Sequence, residues 1–592
     1  MFHPSPRRRR RALGVVIVAA SVLAACGGDD DDASGSSAGT SPPAAGATSD
    51  ATATATADTT AAEDTEAPAD TPATAATDNA DTTAPGDDDA GEPVAGGTLQ
   101  IAVGNDALSL NPQGGGSGND TWYVTRQLYD SLVEQDPETG ELTPWLAESW
   151  EVNDDATEFT FHLRDDVTFS DGTPFTADSV KANFDDIIAN GAKANAALPS
   201  LTGYVGSTVV DPQTVTVTFS APNAPFLQAT STVPLGFVAA STLALPFEER
   251  ATSGLVGTGP FTLNSYTKDS EVVLDKRAGY AWAPEARAND GEAYLDQIVF
   301  TIIPESSVRT GALQSGQVAV IGGVPPQDIQ SLRDAELGIV SRANPGLVFG
   351  LSAVMSKPLV QDPAVRQAIA LAITPEEVRD AALSEDFAVA TSPLSSTTPS
   401  WIDLSESLTH DAEEAGAVLD GAGWTLGSDG VREKDGQQLD LVLGWISNFG
   451  PNQTALEFIQ AQLAAAGIAV TLQTGTAPEY LEGLKSGAYD LAWGNLSRAD
   501  GDVLRTQYSA ATTFYGVDDP ELEALFTAEL ATTDAAERDE IFADVQTRLV
   551  EENIEIPVFE LTTILAHDDT VHDLSLGADS RLHQLTDTWV SE

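Results

Sequence analysis

Residues 456–472 read LEFIQAQLAAAGIAVTL, and their apolar period changes once, at Gly467. Before it, Leu456, Ile459 and Leu463 fall on one stripe of an α-helix; after it, Ile468, Val470 and Leu472 alternate as in a strand. Glycine at such a junction readily takes the left-handed conformation that ends a helix. A helix passing straight into a strand is an αβ unit, so this part of the chain is expected to be an α/β domain. Just upstream, Val431 to Leu443 is expected to form a hairpin turning at Asp435-Gly436. Asp362-Pro363 is expected to start a helix by side-chain capping with proline at N1, and Thr374-Pro375-Glu376-Glu377 another with a capping box.

Nearer the N-terminus the pattern is different. Glu158 to Leu163 places Phe159, Phe161 and Leu163 on one face, and Thr214 to Phe219 alternates Val215, Val217 and Phe219 with threonines. Both read as half-buried antiparallel strands. A helix opening at Thr176 carries Val180, Phe184, Ile187 and Ile188 as one apolar stripe, so a sheet with a helix packed on it is expected there. From Gly96 to Glu592 the chain has about 500 residues with periodic segments throughout and no visible repeat, enough for two or three domains.

The first 94 residues have another character. Arg7 to Arg11 form a basic block and Leu13 to Ala25 an uncharged stretch, the pattern of a secretory signal and too short for a bilayer span, which needs ~20 apolar residues. The only cysteine, Cys26, directly follows Leu23-Ala24-Ala25. This resembles the bacterial lipobox, which implies removal of residues 1–25 and lipidation of Cys26; acyl chains at ~0.8 kcal/mol per buried methylene would then hold the protein on the extracytoplasmic face of the cell membrane. With no second cysteine there are no disulfides, and stability must come from packing. Residues 27–94 lack Lys, Arg and aromatic residues, so 26–94 is expected to be an acidic disordered tether with an end-to-end distance of roughly 45 Å.

The whole chain carries 90 Asp and Glu against 28 Lys and Arg, a net charge of −62. Sixteen acidic residues lie in the tether and five arginines in the leader, which leaves roughly −51 on the remainder. Nucleic acid is therefore excluded as a partner, because phosphate neutralisation needs clustered Lys and Arg. A solvated acidic surface accounts for the charge, with attraction of cationic solutes as the alternative.

A family resemblance runs through the sequence. Gly96-Gly97-Thr98-Leu99 and Leu110-Asn111-Pro112, then Leu128 to Leu132, Trp145 to Trp150, Phe159 to Arg164 and Phe169 to Phe175, resemble family 5 of the bacterial extracellular solute-binding proteins. Gly257 to Phe261, Ala312 to Gly316, Val365 to Ile369, Asp411 to Trp424 and Gly487 to Asp490 continue the likeness in order. Departures are Thr374, where the family usually has Asp, and Val318-Ala319, which replace Ile-Asp. The resemblance implies a bilobal α/β fold of the type II periplasmic-binding-protein kind, with a small extra domain inserted in the first lobe. The implied divisions are lobe I at 95–129, 258–345 and 556–592, the inserted domain at 130–257 and lobe II at 346–555. It also implies an importer subunit that closes on an oligopeptide or dipeptide-like solute and delivers it to ABC permease transmembrane subunits, as a monomer without cofactor.

In peptide-binding relatives an Asp in the loop after a Tyr-Asp strand pairs with the peptide α-ammonium group. The matching loop here is Trp493 to Asp502, which makes Asp500 the first expected partner and Asp502 the next. Trp493 and Trp445 end apolar runs near the expected cleft, where they stack on ligand or pack in the core. Ser117, Gly118 and Asn119, and Ser447 and Asn448, match segments that meet ligand in relatives; Arg498 or Arg505 would meet an anionic group. A surface-anchored serine hydrolase is the competing class, on Ser265-Tyr266-Thr267-Lys268, but Ser265 lies in an expected strand and the companion motifs are absent. The chain also has no Gly-x-Ser-x-Gly elbow and no His-Glu-x-x-His helix. Nickel carriage also occurs in the family; with only six histidines present, and His567 and His572 misplaced for one helix face, no metal site is expected and nickel ranks below peptides.

Overall fold

The computed structural model describes residues 91–116, 118–511 and 515–591. The leader, Cys26 and the tether up to residue 90 lie outside these residues, as does Ser117. Among the described residues no helix is long and apolar enough to cross a membrane.

The three largest sheets organise the described residues from 91 onward. Lobe I is built on seven strands in the order Gly338–Ala343, Thr562–His567, Val320–Gly322, Thr98–Val103, Gln297–Ile302, Glu271–Lys276 and Phe261–Thr267. Thr98–Val103 lies at its centre, parallel to both neighbours, and buries Leu99, Ile101 and Val103 against Ile298 and Phe300. Lobe II has five strands in the order Ala469–Gly475, Asp440–Ile446, Leu491–Ser497, Gly346–Ala353 and Glu555–Phe559.

The opening αβ unit forms as its pattern dictates. Asn452–Ala465 is helical with Leu456, Ile459 and Leu463 fully buried, Gly467 takes φ +84°, and Ala469–Gly475 pairs in parallel with Asp440–Ile446. The expected hairpin is shorter than its span, with Arg432–Lys434 and Gln437–Gln438 pairing around Asp435-Gly436. Asp362 caps its helix through Ala364 N at 3.1 Å. Thr374 does precede the helix Pro375–Ala382, but its side chain makes no cap hydrogen bond, so no capping box forms there.

The four-stranded antiparallel sheet follows the order Ala147–Val152, Glu158–Leu163, Thr214–Phe219, Tyr204–Asp211. Phe159, Phe161, Phe219 and Phe226 fill its core, with Phe159 meeting Phe219 edge-on at 5.8 Å and Phe226 at 5.0 Å. Such pairs contribute ~0.5–1.5 kcal/mol beyond burial. On the helix Ala177–Asn190, Val180, Phe184 and Ile187 are buried, whereas Ile188 is 40% exposed because the stripe is only three residues wide.

The lobes are joined by two neighbouring crossings, residues 344–345 and 560–561, which connect strands of one sheet to strands of the other. Asn344 N donates to Leu561 O at 2.6 Å, tying the crossings together. Gly346, φ +104°, begins the lobe II strand, and a Cβ there would stand 2.3 Å from Leu496 O. Only glycine lets the chain turn so close to its neighbour. Glu560, 2% exposed, accepts from Ser396 N, Ser396 Oγ and Ser395 Oγ, each at 2.9 Å, which anchors the second crossing.

Candidate functional site

In lobe II the strands Asp440–Ile446, Ala469–Gly475 and Leu491–Ser497 run parallel, so their carboxyl ends lie on one edge. Outside the carboxyl ends of such strands is where α/β sheets take ligands. A cavity of about 240 Å³ opens there. The strand Leu491–Ser497 brings Trp493, Asn495 and Leu496 to it, Gly346–Ala353 brings Phe349 and Ser352, and the turn after Ile446 brings Asn448. Helices Ala477–Ser486 and Val503–Tyr508 add Tyr480 and Tyr508; Tyr515 and Glu555 complete the wall.

Trp493 is 1% exposed, stacks on Phe349 at 5.5 Å and donates its indole N–H to Asn452 Oδ1 at 3.0 Å. It is therefore both core and cavity wall. Trp445, the other expected aromatic contact, is enclosed in the lobe II core and does not line the cavity. Asn448 lines the cavity and is exposed, as is Ser447 beside it. In lobe I, Gly118 takes φ +73° before the helix Asn119–Thr125. Asn119 donates to Thr563 Oγ1 at 3.3 Å and accepts from Arg581 Nε at 3.1 Å. Thr563 in turn donates to Asn344 Oδ1 at 2.8 Å, and Asn344 Nδ2 to Ser497 Oγ at 3.3 Å, so these polar groups form a chain across the lobe junction.

Asp500 and Asp502 are placed differently from expectation. Asp500, 7% exposed, takes a bidentate pair of bonds from Arg538, at 2.7 and 2.8 Å, and a third from Asp502 N at 2.8 Å. Burial alone would raise its pKa, but the Arg538 guanidinium holds the carboxyl below its usual range. Asp502 accepts from Arg505 Nε at 2.5 Å and faces Arg498 at 3.5 Å. Glu529, fully buried, sits between Arg538 and Arg505 at 2.9 and 3.2 Å; burial and the two neighbouring aspartates push it up to about 8. These acids and arginines form one ionic network in which Asp500 Oδ1 already accepts two hydrogen bonds and Oδ2 one, and Arg538 already balances the Asp500 charge. Arg498 and Arg505, the expected anion contacts, are drawn into the same network. Asp500 and Arg538 edge a separate crevice of about 600 Å³, across which Gln135 Nε2 donates to Ala499 O at 3.1 Å.

Glu555, in the cavity wall, is a buried acid that the sequence pattern did not single out. It is 4% exposed, and its Oε2 accepts from Tyr508 Oη at 2.7 Å and from Ser352 Oγ. No basic residue pairs with it among the described residues, so burial outweighs those two hydroxyls and pushes its pKa up to about 7. A signal was present: Ile554-Glu555-Ile556-Pro557-Val558-Phe559 sets one carboxylate in an otherwise apolar strand, where a charge is costly unless it has work or a partner. A smaller hollow of about 40 Å³ lies beside Arg126, Glu134 and His583. There Glu134 is buried, but His583 and Arg287 hold its carboxyl down at about 2.

Ser265 lies in the strand Phe261–Thr267, and among the described residues no three His, Cys, Asp or Glu side chains gather as a metal cluster.

The model of family 5 of the bacterial extracellular solute-binding proteins (its middle portion) matches residues 141–515. The dipeptide-binding protein of Escherichia coli is 29% identical over 476 residues, covering 74% of this chain and 84% of that protein. The nickel-binding periplasmic protein of the same organism is 25% identical over 452 residues, with the same coverage. Among solved structures, NikA from Brucella suis in complex with Fe(III)-EDTA superposes with a TM-score of 0.73 at 25% identity, covering 84% of this chain and all of that one. DppA from Helicobacter pylori in complex with the peptide STSA has the same fold, with a TM-score of 0.67 at 22% identity over 84% of this chain and 99% of that one.

Proposed function

Because the chain belongs to family 5 of the bacterial extracellular solute-binding proteins, we propose that it captures a small peptide-like solute between its lobes and passes it to the transmembrane subunits of an ABC permease. The observation that carries this reading is the 240 Å³ cavity at the carboxyl ends of the lobe II strands, whose lining begins at Leu347, just past the crossing at 344–345. Trp493 and Asn448 hold the solute from lobe II, and Gly118 and Asn119 meet it from lobe I. Contacts made to both lobes at once favour the closed state by their difference in affinity between states. The relatives named as dipeptide- and di/tripeptide-binding proteins support peptides as the solute class. The division into lobe I, an inserted domain at 130–257 and lobe II from 346 belongs to the same reading, with the end of lobe II moved from 555 to 559 and the return to lobe I from 556 to 560, because Glu555–Phe559 pairs within the lobe II sheet.

Lipidation of Cys26 holds the protein on the extracytoplasmic face, and residues 26–94 give it reach; it acts as a monomer and leaves its solute unaltered. Native mass spectrometry of the purified protein, followed by thermal shift against di- and tripeptides and nickel chelates, tests the reading. A bound small molecule whose return raises Tm by mass action, without being consumed, is expected. Turnover that Ser265→Ala abolishes would refute it, and a response to nickel chelates alone would move the solute class to metal complexes.

A further inference from the structure

The walls of the lobe II cavity specify the charge of what enters it, a step that rests on the reading of this cavity as the solute site. Five aromatic rings line it: Phe349, Tyr480, Trp493, Tyr508 and Tyr515. Tyr508 and Tyr515 lie 5.6 Å apart, and Phe349 stacks on both Trp493 and Phe449 at 5.5 Å, which holds the aromatic wall in place. The lining holds a single ionisable acid, Glu555, and no Lys, Arg or His. Of its two oxygens, Oε2 takes both hydroxyl donors, and Oε1 has no hydrogen-bond partner among the described residues. Gly350 makes room for that oxygen, because a Cβ on Gly350 would stand 2.1 Å from it.

A buried carboxyl group without a cationic partner is a cost that the fold tolerates only if something offsets it. The contrast with Asp500, which receives an arginine, sharpens the point. Electron-rich ring faces attract cations, most strongly weakly hydrated alkylammonium groups, and a carboxylate at the end of the box supplies the counter-charge. The strongly acidic chain draws cations toward its surface before any contact is made.

We propose that this cavity receives an alkylated ammonium head, with Glu555 as its counter-ion and the tyrosine, tryptophan and phenylalanine faces as its walls. An anionic head finds no cationic partner in the lining. The groups that face Glu555 are Ser352 of the strand Gly346–Ala353, Tyr508 of the helix Val503–Tyr508, and Tyr480 and Tyr515 of the segments packed on them. The tyrosines are all held neutral well above neutral pH. Glu555 is therefore the one group of the box that can release a proton near pH 7 when a cation arrives.

The test compares choline with 3,3-dimethylbutan-1-ol, its uncharged carbon isostere, on the full protein freed of copurified solute. Titration calorimetry at pH 7 in two buffers of different ionisation enthalpy measures affinity and proton release together. Choline is expected to bind at least tenfold more tightly than the isostere and to release up to about half a proton. Glu555→Gln, which keeps the shape of the protonated acid, should lose tenfold or more of choline affinity and all proton release, and Tyr508→Phe should lose less. Equal binding of choline and the isostere, no binding of choline, or an unchanged E555Q would overturn the cationic assignment. A peptide that still raises Tm in those cases would leave the solute-binding reading standing, whereas no response to any solute would remove that reading itself.

Discussion

Two groups of buried carboxylates in lobe II have opposite surroundings. Asp500, Asp502 and Glu529 sit in a lattice of arginines, with Arg538 and Arg505 each bonded to two of the three. Glu555 has only hydroxyl partners and an open cavity. The first arrangement spends its charges on one another and fixes the loop 498–502 against the helices Pro520–Ala531 and Ala535–Glu551. The second leaves a capacity unspent, and in a binding protein an unspent capacity is where a guest is to be sought. The presence of an acid near a cleft therefore says little until its partners are known.

The largest effect that can break this comparison is Arg538→Ala. It takes from the buried Asp500 the arginine bonded to both its oxygens, and loss of one partner from a buried pair costs about 3–5 kcal/mol. Urea unfolding should show that loss; a cost under about 1 kcal/mol would mean that Arg538 does not balance the Asp500 charge. Next, Glu555→Gln should change how stability depends on pH. The folded-state pKa of about 7 lies above the unfolded value near 4.3, so the folded protein holds the extra proton between them. Stability from this group is thus complete below about pH 4 and declines as pH rises to about 7, by on the order of 3 kcal/mol in the solute-free protein. Melting curves from pH 4.5 to 8 should show wild type losing ground to E555Q as pH rises, and parallel curves would contradict the unpaired state of Glu555.

Smaller again, Asp500→Asn should cost about 2 kcal/mol through the weakened Arg538 pair while leaving solute affinity within twofold. A severe loss of affinity with stability intact would restore Asp500 as a solute contact. At the bottom, Lys181→Ala removes an exposed i,i+4 pair with Asp185 and should cost no more than about 0.5 kcal/mol in the same unfolding assay.

Much of the fold was legible, because burial imposes periodicity: the αβ unit at 452–475 and the phenylalanine-rich strands at 158–163 and 214–219 can be read directly from alternation. The family resemblance supplied the bilobal architecture, which no local pattern contains. The site was legible only in part. Asn448 and Trp493 reach the cavity, but strand alternation, which puts Trp445 on the same sheet face as Trp493, did not tell that Trp445 stays in the core. Asp500 misled because its partner, Arg538, is 38 positions away in sequence, and pairing across such a separation is a property of tertiary structure. Glu555 was hidden for the complementary reason: its Ser352 and Tyr508 partners lie 203 and 47 residues away, and a lone acid in a strand announces burial without naming its surroundings.

The paired crossings at 344–345 and 560–561 carry a mechanical consequence. Two backbone segments riveted together by Asn344 N and Leu561 O resist sliding and stretching, so the softest remaining coordinate is a flexing of that narrow ribbon. Glu555 begins the strand Glu555–Phe559, which runs directly into the crossing at Glu560, so a guest held by its carboxylate would load that strand and, through it, the ribbon. Hydrogen exchange at 344 and 561 would then slow on loading, while amides deep within either lobe keep their rates.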